Sequence, residues 1–324
     1  MARDIRLDSL KGLLIILVIL GHVITDIGNK SLLNHGVMGI IYIFHMPLFI
    51  LISGYLTKHP SQQTAKEMWT GVGRILVTLV TFHTLMSFRV YLIEGVFKLP
   101  FFKFPFGILW YLLCLIYWRI ALYFTPRTIL NKPGLYLGIA FLLSLSCGLF
   151  HLGTFLSIQR TLNFFFFFLL GFYYRHGYIS HGLWHNNRLH AITAIVMLPL
   201  IFWLYPHCGN VMNGTDYYGI AGLPEKIMIL VCSTVVSLIV FNLMREYKPL
   251  SDIGKNSLFY YVYHTFFITV VVYPIVRDYQ FPCSFPFVIL YTAIIITMLW
   301  ILNKVKFFRW LVHPNLKFIK QQSS

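Results

Sequence analysis

The chain has 324 residues, of which 58% are hydrophobic and only 11% are charged, and its mean hydropathy is +0.72. Soluble domains carry about a quarter charged residues, so this composition excludes an ordinary soluble protein. The net charge of +16 is spread along the chain and not gathered into one arm or patch, which argues against nucleic-acid binding. The chain is therefore expected to form a single domain, residues 1–324, in contact with membrane lipid.

Apolar runs recur along the whole chain, and each is long enough to cross a hydrocarbon layer. They predict an all-α, polytopic bundle of about ten transmembrane helices near 9–27, 36–57, 72–94, 105–124, 133–150, 159–174, 189–205, 226–244, 257–276 and 284–302. The sixth run is short, so it is expected either to tilt, to re-enter the membrane or to join its neighbour. No small-x-small cleavage motif follows the first run, which indicates a retained helix and not a signal peptide.

The positions of the basic residues predict the orientation of the bundle. With the N-terminus and the C-terminus in the cytoplasm, most of the 26 Lys and Arg residues lie in cytoplasmic segments or at cytoplasmic helix ends, as the positive-inside rule requires. The exceptions on or toward the opposite face are Lys30, Arg89, Lys98, Lys103, Arg160, Lys226 and Arg277.

The five cysteines show no CxxC spacing and no Cys/His pattern, so no metal site is expected. Cys208 and Cys283 fall in two loops on the predicted external side. A disulfide between them is a prediction for an oxidising compartment.

Ionisable residues inside the predicted spans are costly in lipid, so each is a candidate functional residue. His22 follows Lys11 by eleven residues in the first helix, which places it about 16 Å further along the axis. Asp26 stands about one turn beyond His22, so its carboxylate is predicted to orient the imidazole of a general base. A histidine bonded to a backbone carbonyl is the structural alternative.

Two more histidines are expected near the middle of the membrane, close to a substrate. His45 lies beside Pro47, and a proline-bent helix in lipid is tolerated next to protein or a cavity. A packed kink is the alternative there. His264 lies about eight residues into the ninth predicted helix. Arg74, at the cytoplasmic start of the third, can either bind phosphate or act only as a topogenic charge.

Several imidazoles inside one bundle, with basic residues at the cytoplasmic face, suit two different functions. One is proton-coupled transport. The other is acyl transfer, in which an anionic donor docks from the cytoplasm and a histidine takes the proton of an acceptor hydroxyl. Composition does not choose between them, and a non-enzymatic polysaccharide export subunit remains a third hypothesis.

Five segments, in order along nearly the whole chain, resemble segments of the membrane acyltransferase family 3. They are Arg6 to Gly12 running into Val18 to His22, then His45 to Phe49 with Ser53 to Tyr55, then Leu109 to Leu112 followed by Leu115, Trp118 and Arg119, then Phe167 to Tyr173, and finally Ile253 to Ser257 with His264. The Lys11 position, the LWYL segment and the short chain are most similar to the fucose 4-O-acetylase-like branch.

The resemblance implies a membrane-bound O-acetyltransferase of the bacterial cytoplasmic membrane. Such enzymes take the acetyl group from cytoplasmic acetyl-CoA, a substrate and not a permanently bound cofactor, and transfer it to a hydroxyl of a polysaccharide or lipid-linked sugar. It implies that His22 is catalytic, that Lys11 is a basic residue of the same helix, and that Arg74 is the second arginine of an Arg-x-x-Arg motif.

The sequence departs from that motif at Gly71, where the first arginine would fall, and the role of Asp26 depends on helix geometry alone. The phosphates of acetyl-CoA are expected to bind near three basic residues, Lys11, Arg74 and Arg119. The aromatic rings of Trp110 and Tyr111 are expected to stack on a sugar ring.

Overall fold

The computed structural model describes residues 4–29, 31–94, 107–147, 149, 155–178, 192–193, 195–197, 199–201 and 220–312. This part of the chain is helical and contains no β-strand. The helices are α1 (Ile5–Asp26), α2 (Leu32–Tyr55), α3 (Ala65–Glu94), α4 (Trp110–Phe124), α5 (Arg127–Leu130), α6 (Pro133–Ser146), α7 (Ile158–Arg175), α8 (Leu223–Leu243), α9 (Lys248–Gly254), α10 (Ser257–Phe266), α11 (Tyr273–Asp278), α12 (Phe285–Leu302) and α13 (Lys306–Val312). A π-helical segment, Phe267–Val272, joins α10 to α11.

Eight helical segments in the described residues are long and apolar enough to cross a membrane, and α6 is a shorter apolar helix. Large apolar side chains such as Leu142 and Trp300, 64% and 51% exposed, cover the outside of the bundle. Lipid can solvate such a surface, whereas water would not. The structure thus confirms an all-α polytopic membrane bundle.

Two of the predicted spans need separate comment. The sixth is one continuous helix of 18 residues, α7, whose phenylalanines pack into the core. The seventh, 189–205, lies largely outside the described residues, as does Cys208, so the pairing of Cys208 with Cys283 stays a prediction.

Helix α3 begins at Ala65, seven residues before the predicted span. Thr64 and Glu67 form a capping box there. The Thr64 hydroxyl accepts from the backbone N–H of Glu67, 3.2 Å, and the Glu67 carboxylate accepts from the N–H of Thr64, 3.0 Å. These bonds satisfy two N–H groups at a helix start, which explains the longer helix.

Glycines set a close contact between α2 and α7. A Cβ atom at Gly54 would overlap the carbonyl oxygen of Phe168, and one at Gly171 would overlap the carbonyl oxygen of Leu51. Small residues let transmembrane backbones approach in this way, which compensates for the absence of a hydrophobic driving force between helices in lipid.

A second close contact joins α1 to α9. A Cβ at Gly12 would overlap the Leu250 carbonyl oxygen, and one at Gly254 would overlap that of Asp8. The buried Ser9 hydroxyl donates to the Tyr247 carbonyl, 3.0 Å, and accepts from the Tyr247 N–H, 2.9 Å. This contact holds the first two turns of α1 in one place.

The start of α1 and the end of α8 lie at the same end of the bundle. We call the face at which α1 begins the N-terminal face and the other the far face. Arg6, at the N-terminal face, donates to the Phe241 carbonyl at the end of α8, 3.1 Å, and its guanidinium lies over the Phe241 ring. Arg6 therefore also caps the C-terminal end of α8.

Candidate functional site

A cavity of about 340 Å³ opens toward the N-terminal face, between α1, α2, α3, α4 and α10. Its charged lining residues are Lys11, Arg74 and Arg119, the three residues predicted to bind the donor. The structure brings these cations together from three helices. We call it the basic cavity.

Lys11 does not stand alone in this cavity. Its ammonium forms an ion pair with the carboxylate of Asp8, 2.6 Å away and buried. Asp8 lies one turn earlier on α1, so the pair fixes the direction of the lysine side chain along the helix. Asp8 lies within the Arg6 to Gly12 segment, and its i, i+3 spacing from Lys11 is a signal for this pair that the sequence already contains.

Arg119 lies beside Gly71, the position where the Arg-x-x-Arg motif lacks its first arginine. A Cβ at Gly71 would stand 3.5 Å from Nη1 of Arg119. The guanidinium from α4 therefore occupies space next to the place where a first-position arginine on α3 would begin. Its buried Nε atom has no hydrogen-bond partner among the described residues, which leaves a donor free for a ligand.

A second cavity, of about 460 Å³, lies toward the far face, and we call it the histidine cavity. His22, His45 and Trp110 line it, together with Tyr42, Arg89 and Arg160. The buried His264 lies against it, with its ring centroid 5.1 Å from that of His22. Three histidines from α1, α2 and α10, far apart in sequence, thus meet at one place.

Backbone carbonyls determine the tautomers of two of these histidines. Nδ1 of His45 lies 2.7 Å from the carbonyl oxygen of Ile41, and Nδ1 of His264 lies 2.7 Å from that of Tyr261. A carbonyl oxygen only accepts, so Nδ1 carries the proton in both rings and Nε2 is the bare acceptor. The Nε2 atom of His264 is buried without a partner among the described residues.

The structure does not bring Asp26 into contact with His22. Asp26 is exposed at the last residue of α1, and within the described chain no hydrogen bond or ion pair joins it to the imidazole. The ring next to His22 is that of His264. Helix periodicity placed an acid on the right face of α1, but the neighbour that packs against His22 comes from another helix, which spacing within α1 does not reveal.

The two aromatic residues predicted to stack on a sugar are separated. Trp110 lines the histidine cavity, where Phe164 stacks on its ring, 5.4 Å between centroids, and Arg160 lies over it. Tyr111 lines the basic cavity instead, and its hydroxyl is hydrogen-bonded to Ser53, 2.6 Å. Consecutive residues of a helix point about 100° apart, so Trp110 and Tyr111 face different cavities and do not contact the same sugar ring.

Tyr261 lines both cavities and so forms the wall between them. Its hydroxyl donates to the carbonyl of Ile108, and its ring packs edge-on against Tyr111, 5.5 Å between centroids. The sequence carried no signal for this role, because Tyr261 is one of four tyrosine and phenylalanine residues within Phe259–Tyr263. In the described residues, no group of three or more His, Cys, Asp or Glu is arranged to hold a metal ion.

Comparison with known proteins places the chain in a family. A family model described as an acyltransferase domain matches residues 4–302. Two nodulation proteins NolL are similar over short segments: that of Sinorhizobium fredii is 48% identical over 59 residues, 17% of this chain and 16% of the relative, and that of Mesorhizobium japonicum is 45% identical over 81 residues, 24% and 21%.

The matched segments thus span about a fifth or less of these curated relatives. No solved structure matches. The family match, by contrast, runs from the first turn of α1 to the end of α12 and includes both cavities. By that match the chain belongs to the membrane acyltransferase family 3.

Proposed function

We propose that this protein is a membrane-bound O-acetyltransferase that takes an acetyl group from acetyl-CoA at one face of the membrane and transfers it to a sugar hydroxyl near the other. The observation that supports this most directly is the pair of cavities that meet at Tyr261. One offers cations to an anionic donor and the other offers imidazoles to a hydroxyl.

The charge distribution supports the sidedness of the proposal. The positive-inside rule puts the N-terminal face in the cytoplasm, where acetyl-CoA is found. Lys11, Arg74 and Arg119 would hold its phosphates, with Asp8 keeping Lys11 in position. The acetyl-bearing arm would pass the Tyr261 wall toward His22, about 16 Å further along α1.

In the chemical step, a bare nitrogen of His22 accepts the proton of the sugar hydroxyl while the oxygen attacks the carbonyl carbon of the thioester. The carbon–sulfur bond breaks, the acetyl group stays on the sugar oxygen, and the CoA thiolate takes up the proton. His264 and His45 lie beside His22 or its cavity as neutral imidazoles, with Nδ1 donating to a backbone carbonyl and Nε2 bare.

The proposed acceptor is a polysaccharide or a lipid-linked sugar, and the proposed location is the bacterial cytoplasmic membrane. The resemblance of Lys11 and of the LWYL segment to fucose 4-O-acetylases supports that branch of the family. Trp110 lines the histidine cavity and is the proposed contact for the sugar ring.

The experiment that tests this function compares surface polysaccharide from a deletion strain with that from the strain complemented by the wild-type chain. We expect O-acetyl signals in the NMR spectrum to disappear in the deletion strain and to return on complementation. If instead vesicles holding the pure protein move a solute without consuming acetyl-CoA, the protein is a transporter. If it binds glycan but never releases CoA, it is an export subunit.

A charge exchange tests the basic cavity. Arg119→Gln is expected to raise the KM for acetyl-CoA about tenfold, because a charge-assisted hydrogen bond to phosphate is lost. Gly71→Arg in the same chain is expected to restore part of that loss, since residue 71 and the Arg119 guanidinium are neighbours. Initial rates of CoA release over a range of acetyl-CoA concentrations measure both effects.

The matched control is Arg245→Gln, which removes an arginine near the same face that does not line the basic cavity. It should leave the KM unchanged. An unchanged KM in Arg119→Gln would contradict a role for Arg119 in donor binding.

A further inference from the structure

The histidine cavity contains two guanidinium groups that the proposed acetyl transfer does not use. Arg89, near the end of α3, and Arg160, in the first turn of α7, both line it. Both groups stay charged under all ordinary conditions. A charge within a membrane-spanning helix is costly unless an opposite charge or a polar environment compensates it.

Among the described residues, no carboxylate is paired with either guanidinium. The whole chain has only ten Asp and Glu residues, and none is among the described residues that line this cavity. Neither arginine takes part in an ion pair in the described part of the chain. Asp26 interacts electrostatically with Tyr42 at this end of the bundle but pairs with neither guanidinium.

Arg89 is held in place by a hydroxyl. Its Nη1 donates to the Thr269 Oγ1 atom, 2.5 Å, and that hydroxyl donates in turn to the carbonyl of Thr265, 2.7 Å. Thr269 lies in the π-helical segment, a local geometry that is common at functional sites. The guanidinium is thus directed by a neutral group and keeps its full charge.

Arg160 is held in place by an aromatic ring. Its Cζ atom lies 5.1 Å from the centroid of the Trp110 ring, a cation–π contact. This contact positions the guanidinium without neutralising it. Arg160 and Trp110 therefore present a positive charge and an apolar ring side by side in the same cavity.

Polar atoms without partners surround the same space. Nε of Arg89, the hydroxyl of Thr265 and Nε2 of His264 are all buried and lack a hydrogen-bond partner among the described residues. Two of these are donors, and a buried donor left without an acceptor destabilises a protein. An acceptor ligand that fills the cavity would satisfy both.

We propose that Arg89 and Arg160 form a binding site for an anionic group, carboxylate or phosphate, carried by the sugar acceptor. The identification of the ligand as the sugar acceptor rests on the proposed function, whereas the anion site itself is inferred from the geometry of the cavity. The anionic group lies between the two guanidiniums, and the sugar to which it belongs presents its hydroxyl to His22. A volume of about 460 Å³ is typical of a small-molecule site.

Matched ligand pairs test the inference on the full chain in lipid nanodiscs, with binding measured by calorimetry in the absence of acetyl-CoA. One pair is methyl β-D-glucuronide and methyl β-D-glucoside, which differ by a carboxylate. The other is farnesyl phosphate and farnesol, which differ by a phosphate. We expect the anionic member of at least one pair to bind about tenfold more tightly than its neutral partner. The pair that shows the preference identifies the anionic group.

The variants Arg89→Gln and Arg160→Gln are each expected to lose that preference, and Arg89→Lys is expected to keep part of it. Arg277→Gln is the matched control, because it removes an exposed arginine, paired with Asp278, that does not line the cavity. It should bind the four ligands as the wild type does. Equal binding of anionic and neutral partners in both pairs, or a preference that survives both glutamine variants, would overturn the inference.

Acetyl-CoA binding, measured on the same samples, separates this inference from the proposed function. Wild-type protein that binds acetyl-CoA but shows no anion preference contradicts the anionic acceptor and leaves the transferase in place. Protein that keeps the anion preference but does not bind acetyl-CoA supports the Arg89 and Arg160 site and contradicts the transferase. Acetyl-CoA binding by the glutamine variants also reports that they are folded.

Discussion

His22→Ala is expected to lower the rate of acetyl transfer by about 10³-fold, because removal of a general base typically costs 10²–10⁴-fold in rate. The ring that packs against His22 is that of His264, which is fully buried, while Asp26 is exposed at the end of α1. The measurement is the rate of acetyl transfer by purified variants in nanodiscs, with acetyl-CoA saturating.

Two further variants make the result specific. His22→Gln keeps a polar side chain of similar length. If the rate of acetyl transfer falls as far in His22→Gln as in His22→Ala, the cause is the lost basic nitrogen and not a cavity left by the smaller side chain. His35→Ala replaces an exposed histidine of α2 and should transfer acetyl groups at the wild-type rate. Acetyl-CoA binding should persist in His22→Ala, since the basic cavity is lined by other residues. Wild-type rates in that variant would rule out His22 as the base.

Gly54→Val is expected to lower the free energy of unfolding by roughly 3 kcal/mol, the upper end of typical overpacking costs. A Cβ at this position would meet the carbonyl oxygen of Phe168, and the backbone of α7 cannot move aside as a flexible side chain would. Gly171→Val should behave similarly, since its Cβ would meet the Leu51 carbonyl. The measurement is the fraction of protein in detergent that remains monodisperse in size-exclusion chromatography after heating to a series of temperatures.

Gly138→Ala is the control for these substitutions. Gly138 lies within α6, and no atom stands within 4 Å of a Cβ built there. Alanine favours a helix over glycine by about 1 kcal/mol, so this variant should unfold at the same or a higher temperature. If Gly54→Val unfolds at the same temperature as Gly138→Ala, the contact of α2 with α7 is looser than the structure indicates.

Much of the architecture was predictable because lipid imposes strict rules on a sequence. Backbone polar groups must be paired inside the membrane, so long apolar runs are helices, and the positions of basic residues orient them. Even the phenylalanine-rich segment of α7, the least certain of the spans, is one continuous helix. The early start of α3 was readable too, from the capping box of Thr64 and Glu67.

The site was predictable only in part. Lys11 and His22 were related by spacing on a single helix, so their separation along α1 was computable before any packing was known. Arg119 comes from another helix, and its place beside Gly71 depends on how α4 packs against α3. The pairing of His22 with Asp26 was inferred from the same kind of spacing, and in the described residues no hydrogen bond or ion pair joins the two side chains, because a shared helix face does not by itself bring side chains together.

By itself the sequence determined that this chain is a helical membrane protein, which side its basic ends favour, and which histidine lies deep in the first helix. Those properties follow from local rules: hydropathy, charge and helical rise. Only the tertiary structure decided that His264 is the neighbour of His22, that Tyr261 separates two cavities, and that two arginines line the histidine cavity with no acid among its described lining residues. These depend on contacts between helices distant in sequence, which close glycine packing makes specific.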